Sequence, residues 1–166
     1  MARGALGYGS SVASGTGLGG PDAIGNLIAR YAELVDGGDF AGLAALLGHA
    51  VFGGEGDAVV RGRDAIERTF RAMVMVYDDG TPRTKHVTTN VQIDVDEAAG
   101  TATSRSYVTV FQALPDLALQ PIVAGRYRDR FERHGSGWVF VERRFTTDLV
   151  GDLSHHLQGG AETLRS

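Results

Sequence analysis

Few side chains in this sequence can carry a proton to and from a substrate near neutral pH. There are no cysteines, which excludes thiolate nucleophiles, disulfides and cysteine-based zinc sites. The histidines are His49, His86, His134, His155 and His156, and imidazole is the group suited to taking a proton in one step and returning it in another. His49 and His134 fall in turn-like stretches, where solvated rings are expected. His155 and His156 are adjacent, so their side chains diverge in any regular structure, and with no acid nearby at ligand spacing no metal site is expected there. His86 falls on an alternating strand, where it is either a candidate base or a solvent-facing strand histidine. Among the acids Asp36 stands out, because it falls at the carboxyl end of a helical pattern, where the helix dipole disfavours an anion by roughly 0.3–1 kcal/mol. Asp39 has a capping role to explain it; Asp36 has none. An imidazolium across a pocket would offset the cost, and the alternative is an Asp that forms the turn before Gly37-Gly38.

Other residues qualify as supporting groups. Tyr31 sits on an apolar stripe, so its ring is core and only its hydroxyl is free to polarise a substrate oxygen. Arg143 and Arg144 compete for one inward position on an alternating strand, and the other of the two is expected to make a surface ion pair. Tyr107 and Tyr127 are expected to line a cavity whose aromatic walls suit a ring-shaped ligand. Asn90 either hydrogen-bonds substrate or satisfies the backbone, and Phe52 is expected to contact substrate. Trp138 reads as a packing anchor.

The elements that must position these residues follow from periodicity. Residues 1–20 are dominated by Gly, Ser and Ala; such a segment cannot offset its ordering entropy, and a flexible arm is expected. It does not read as a phosphate loop, because no strand precedes its glycines and no Gly-Lys-Ser/Thr follows. Order begins at Gly20-Pro21-Asp22, with Pro at a first helical position and an acid in the first turn. Ile24, Leu27, Ile28, Tyr31, Leu34 and Val35 then recur at helical spacing. Gly37-Gly38 ends that helix, and Asp39 caps a second, short one carrying Phe40, Leu43, Leu46 and Leu47. Val51-Phe52 reads as a short strand, and a third helix from near Gly62 buries Ala65, Ile66, Thr69, Phe70 and Met73.

From His86 the period becomes two. Strands are expected over 86–95, 101–112, 122–133 and 138–147, the last two joined by a turn at His134-Gly135-Ser136-Gly137. Val87, Val91, Ile93 and Val95 would share one face, which puts His86 on the other. For His86 to enter a pocket, either a bulge shifts the register between it and Val91, or the pocket uses the polar face. Helices first and antiparallel strands after give an α+β fold with helices on one face of a sheet. The expected organisation is an arm at 1–20, one domain at 21–148 and a tail at 149–166, which is either a short helix or disordered.

Composition narrows the partners. A net charge of −4 and a pI near 5.7 over 166 residues provide no basic field for nucleic acid or an anionic membrane. No apolar run is long enough to span a bilayer, and the start lacks the apolar core of a secretion signal. A cytoplasmic protein is expected.

The order of these elements, with Tyr31-Ala-Glu-Leu-Val-Asp36, Gly62-Arg-Asp-Ala-Ile66, His86-Val-Thr-Thr-Asn90, Gly125-Arg-Tyr-Arg-Asp129, Gly137-Trp-Val-Phe-Val-Glu-Arg-Arg144 and Gly151-Asp-Leu-Ser-His-His-Leu157, resembles the SnoaL-like branch of the nuclear-transport-factor-2 superfamily. The resemblance spans about residues 21–157 and implies a cone, three helices on a curved and mostly antiparallel sheet, with a pocket between them. Relatives with an acid–histidine pair in that pocket include scytalone dehydratase, bile acid 7α-dehydratase and hexachlorocyclohexane dehydrochlorinase, all of which eliminate a leaving group from a ring without a cofactor. The matching positions are Asp36 and His86; Tyr31 matches a tyrosine of the bile acid enzyme, and Arg143 an arginine of the dehydrochlorinase. The chain departs from these relatives too. The further acid of the bile acid enzyme is missing from the strand through Ser106 to Phe111, and the second pocket histidine of scytalone dehydratase has no evident counterpart.

The resemblance therefore implies a cofactor-free lyase, isomerase or cyclase for a small hydrophobic cyclic molecule, with elimination of water first among the reactions, in a homodimer or homotrimer. The rival reading is a non-catalytic binding or scaffold subunit, such as the small subunit of a ring-hydroxylating dioxygenase, which shares the fold. The distance between Asp36 and His86 separates the two.

Overall fold

The computed structural model describes residues 19–54 and 59–160; the glycine-rich segment 1–18, expected to be a flexible arm, lies outside the described residues, as do 161–166. Helix α1, Gly20–Asp36, starts with Pro21 in its first turn and Asp22 near its positive end, and it buries Ile24, Ile28, Tyr31, Leu34, Val35 and Asp36 on one side. It ends where the Gly37 amide bonds the Glu33 carbonyl at 2.9 Å and the chain reverses at Gly38, φ +70°. Only glycine suits Gly38, since a Cβ there would collide with the Gly80 carbonyl oxygen as well as straining the backbone.

Helix α2, Phe40–Leu46, is capped as the sequence indicates: the Asp39 side chain accepts from the Gly42 amide at 2.8 Å. Strands β1, Val51–Gly53, and β2, Val59–Arg61, come next, and α3, Arg63–Met73, buries Ile66 and Phe70. Four long strands follow: β3, Thr84–Asp96; β4, Thr101–Leu114; β5, Leu117–His134; and β6, Gly137–Val150. The sheet order is β2-β1-β6-β5-β4-β3, antiparallel throughout except where β1 runs parallel to β6.

Each of the long pairings carries a register shift, at Thr89/Gln92, Val110/Phe111, Gln112/Leu114, Ala124/Gly125 and Arg130/Phe131. Bulges bend strands and increase their twist, so the sheet curls around the helices. The core fills that concave side with Ile24, Ile28, Leu43, Leu47, Val108, Ile122, Phe131 and Phe140. Three helices on a mostly antiparallel sheet are the α+β cone expected from the sequence.

The bulge on β3 decides which way His86 points. Thr84 and His86 face inward; Lys85, Val87 and Thr89 face out. Asn90 then adopts φ +51°, the pairing skips from Thr89–Tyr107 to Gln92–Arg105, and beyond it Ile93 and Val95 are the residues packed on the core. The four-residue apolar face suggested by simple alternation is thus split: Ile93 and Val95 face in, while Val87 and Val91 are more than two-fifths exposed. Of the two routes for His86 into the interior, the register shift is the one taken.

The segment after β6 folds back over the open end of the cone. The Met75 amide bonds the His156 carbonyl at 2.8 Å, the Gln158 amide bonds the Met73 carbonyl at 2.9 Å, and Val74 bridges Leu157. Leu153 and Leu157 are buried. Residues 151–160 are therefore neither a helix nor a loose tail but a strap. No helix among the described residues is long and apolar enough to cross a membrane.

Candidate active site

Asp36 is the last residue of α1, and its carboxylate reaches the first strand residues after α3. Oδ1 lies 2.6 Å from His86 Nδ1 and accepts from the Thr84 hydroxyl at 2.8 Å, while Oδ2 accepts the His86 backbone N–H at 2.8 Å. Both side chains of the pair are less than a tenth exposed. Burial alone would raise the Asp36 carboxyl, but the bonds from the His86 ring, its charge and backbone, and then Thr84, outweigh it and hold the group below the ordinary carboxylate value. An ionised Asp36 makes Nδ1 of His86 the N–H donor, which leaves Nε2, on the far side of the ring, as the basic nitrogen. The unfavourable helix-end carboxylate is thus explained by three donors gathered around it.

His86 lines a cavity of about 90 Å³ shared by Tyr31, Phe70, Val110, Tyr127, Phe145 and His156, among others. At roughly 15 Å³ per water centre that is room for about six waters, or one six-membered ring. The Tyr31 ring stands edge-on to His86, centroids 6.5 Å apart at 85°, and edge-on to Tyr127 at 5.8 Å. Burial, and then Tyr127, push the Tyr31 phenol well above its ordinary value, with Arg143 pulling the other way. Tyr31 therefore stays protonated, a hydrogen-bond donor and not a base.

Beneath the two tyrosines lies Arg143, with no exposed surface and its Cζ 4.0 Å from the Tyr31 centroid and 3.6 Å from the Tyr127 centroid. Its Nη1 donates to Asp129 Oδ2 at 2.8 Å, and the Ser104 hydroxyl adds a bond to the same oxygen at 3.2 Å. Burial opposes its charge, but Asp129 and the two tyrosines more than compensate and raise the guanidinium above its ordinary value. For Asp129 burial dominates and raises the carboxyl, opposed by Arg143 and Ser104.

The structure brings together Asp36, His86, Tyr31 and Tyr127, and places Asn90 and Tyr107 away from this cavity, in a separate surface pocket that Tyr127 also lines. Of the two competing arginines Arg143 does face inward, but it is a second layer behind the tyrosines and does not line the cavity, because Asp129 and the two rings hold it. Tyr107 is 54% exposed on the outer sheet face, since alternation from the buried Ser106 and Val108 turns it outward. Asn90 is exposed at the bulge, its left-handed backbone making the turn in register. Phe52 stacks 5.2 Å from Phe70 and sits behind it, so Phe70 and not Phe52 reaches the cavity. His49 and His134 meet each other, centroids 5.5 Å apart, away from the site.

Three residues were missed. Thr84 carries no signal of its own. Asp129 was legible: alternation with Tyr127 and Phe131 places a carboxylate on the inward face, where it needs a cation. His156 was legible too, since Leu153, His156 and Leu157 share one side of a helical turn. Its neighbour His155 points elsewhere; the His155 carbonyl accepts from the Tyr77 hydroxyl at 2.6 Å and from Gln112 Nε2 at 2.9 Å.

Comparison with known proteins agrees with this architecture. A crystal structure of an NTF2-like protein with a cystatin-like fold from Novosphingobium aromaticivorans is 28% identical, over 76% of this chain and 80% of that one, with a TM-score of 0.63. Rv3472(D26N), a protein of unknown function from Mycobacterium tuberculosis, is 27% identical over 78% and 72% of the two chains, TM-score 0.64. ActVI-ORFA from Streptomyces coelicolor, 17% identical over 77% and 96% with a TM-score of 0.62, shares the fold. No protein of curated function matches. Residues 21–144 match the SnoaL-like domain, and on that match, with the fold described above, the chain belongs to the SnoaL-like domain family.

Proposed function

We propose that this protein is a cofactor-independent lyase that eliminates water from a small, mostly apolar cyclic substrate, with isomerisation or cyclisation as the related outcomes of the same proton transfer. The observation that carries the reading is the 2.6 Å contact between Asp36 and His86 at the wall of an apolar cavity. His86 Nε2 removes a proton from the carbon beside a carbonyl. Asp36, ionised and held by three donors, stabilises the imidazolium that forms and fixes the ring's tautomer. Tyr31 donates to the oxygen that gains negative charge, and the Arg143 cation behind it favours that polarisation. Loss of hydroxide from the β-carbon, with a proton returned from the imidazolium, completes the elimination and restores the base.

The test is a panel of β-hydroxy ketones, from 3-hydroxycyclohexanone to 3-hydroxy-1-tetralone, followed by the absorbance of the enone or naphthol product. Turnover that falls at least 100-fold in His86→Ala and Asp36→Asn, with circular dichroism unchanged, supports the proposal. Equal rates in wild type and His86→Ala, or no turnover of any member above the buffer rate, sink it and favour the scaffold-subunit reading.

The same proposal includes a homodimer or homotrimer formed through the outer sheet face. Val87, Val91, Tyr107 and Leu149 expose between 42% and 69% of their surface, which is unusual for aromatic and branched residues on one sheet.

A further inference from the structure

His156 is the one residue of the strap whose side chain brings hydrogen-bonding capacity to the cavity wall. It is 7% exposed, and its Nδ1 is buried without a hydrogen-bond partner among the described residues. Its position does not depend on its ring. The backbone is fixed on both sides, by the Met75 amide on its carbonyl at 2.8 Å and by its own amide on the Leu153 carbonyl at 3.0 Å, with Leu153 and Leu157 anchoring the strap in the core. A leucine or phenylalanine would close this wall without burying an unpaired polar atom, and native interiors rarely leave such an atom unsatisfied. The wall is otherwise apolar apart from His86 and the two tyrosine hydroxyls.

We infer that His156 is a ligand-facing hydrogen-bonding residue, which binds an oxygen of the substrate and turns the reacting carbon toward His86. The inference rests on the cavity being the substrate site, as proposed above. The charged groups that act on the ring are His86 and Asp36. Burial, and after it the charge on His86, lower His156 to about 4 against the opposing pull of Asp36. At neutral pH the ring is uncharged, with one nitrogen a donor and the other an acceptor. It therefore holds an oxygen without competing with His86 for the proton. A neutral imidazole is also the right donor for a carbonyl in an apolar cavity, because it brings no second cation beside the imidazolium that forms on His86.

The experiment compares cyclohexanone with its hydrocarbon isostere methylenecyclohexane, titrated into the full-length protein and followed by nitrogen-15 shifts of the histidine rings. In wild type, cyclohexanone moves the His156 ring signals and methylenecyclohexane does not. His156→Phe shifts the ratio of the two Kd values about tenfold toward the hydrocarbon, the loss of one hydrogen bond. His156→Gln, which restores a donor, recovers at least half of that change. An unchanged ratio in His156→Phe, with cyclohexanone still moving the His86 signals, overturns this inference alone. If cyclohexanone moves neither His86 nor His156 in wild type, the cavity is not the ligand site and the previous section's reading fails with it. Equal weakening of both ligands in the Phe and Gln variants would assign His156 a purely structural role and overturn the inference.

Discussion

At the residue scale, the site is built from charges that are tolerable only in pairs. Asp36 accepts three hydrogen bonds at the negative end of α1, and Arg143 and Asp129 neutralise each other in the core. Removing one member of a fully buried pair leaves an uncompensated charge, so Arg143→Ala should cost about 3–5 kcal/mol in urea unfolding; a loss under 1 kcal/mol would show that the pair is not the anchor described here. His156 predicts a pH dependence. Its folded value, about 4, lies below the ordinary 6.5, so the unfolded chain binds the extra proton first. Its contribution to stability is complete above pH 6.5, declines as pH falls toward 4, and changes no further below that. The loss is roughly 3 kcal/mol at 1.36 kcal/mol per pH unit. His156→Gln should flatten the stability profile between pH 6.5 and 4, measured by denaturant midpoints; a profile as steep as wild type would refute the depressed value. Asp36 acts at lower pH: its carboxyl is held below 3.8, so its contribution persists above that value and is lost only on further acidification.

At the scale of elements, β3 is the decisive piece. One residue, Asn90 at φ +51°, allows His86 to face the cavity and Ile93 and Val95 to face the core on a single strand. Asn is among the residues that tolerate this backbone region, and a β-branched side chain is not. Asn90→Gly should stay within about 0.5 kcal/mol of wild type, whereas Asn90→Val should lose about 1–2 kcal/mol. Deleting Asn90 tests the register directly. Either His86 or the Ile93–Val95 pair must then turn outward, so activity or most of the stability should disappear although both dyad residues remain. A deletion variant with normal turnover and normal melting would contradict the bulge assignment. A substrate contact by Asn90 would instead make Asn90→Gly cost activity while leaving stability alone.

At the scale of the whole molecule, the sheet curls around one small cavity, and the strap from 151 to 160 covers its open end. A volume near 90 Å³ limits the closed state to about one ring, so larger members of the substrate panel must displace the strap. Their rates should therefore rise when the strap is loosened. Tyr77→Phe, which removes the 2.6 Å bond to the His155 carbonyl, should raise the ratio of bicyclic to monocyclic turnover severalfold; an unchanged or reduced ratio would mean that the strap does not gate size. The outer face provides the second test. Tyr107→Glu should convert the proposed homo-oligomer to monomer by light scattering, and a monomeric wild type would dispose of the interface.

Much of this was written in the sequence. Helical spacing and glycine breaks placed α1 and α2, and the Asp39 cap fixed where α2 begins, because these are local preferences set by neighbours a few residues away. Asp36 was conspicuous as a carboxylate at the wrong end of a helix, and the two alternatives for His86 were already defined by its strand. What local rules could not supply was the choice between them, since a bulge at Asn90 is decided by pairing with β4, residues away in sequence. The same holds for Arg143, Tyr107 and Phe52: each sits on a correctly identified strand, yet which partner meets it depends on sheet curvature and on neighbouring strands. The strap belongs to the same class. Leu153, His156 and Leu157 form a recognisable pattern, but only the closing of the cone gives that pattern a cavity to cover and brings a second imidazole opposite His86.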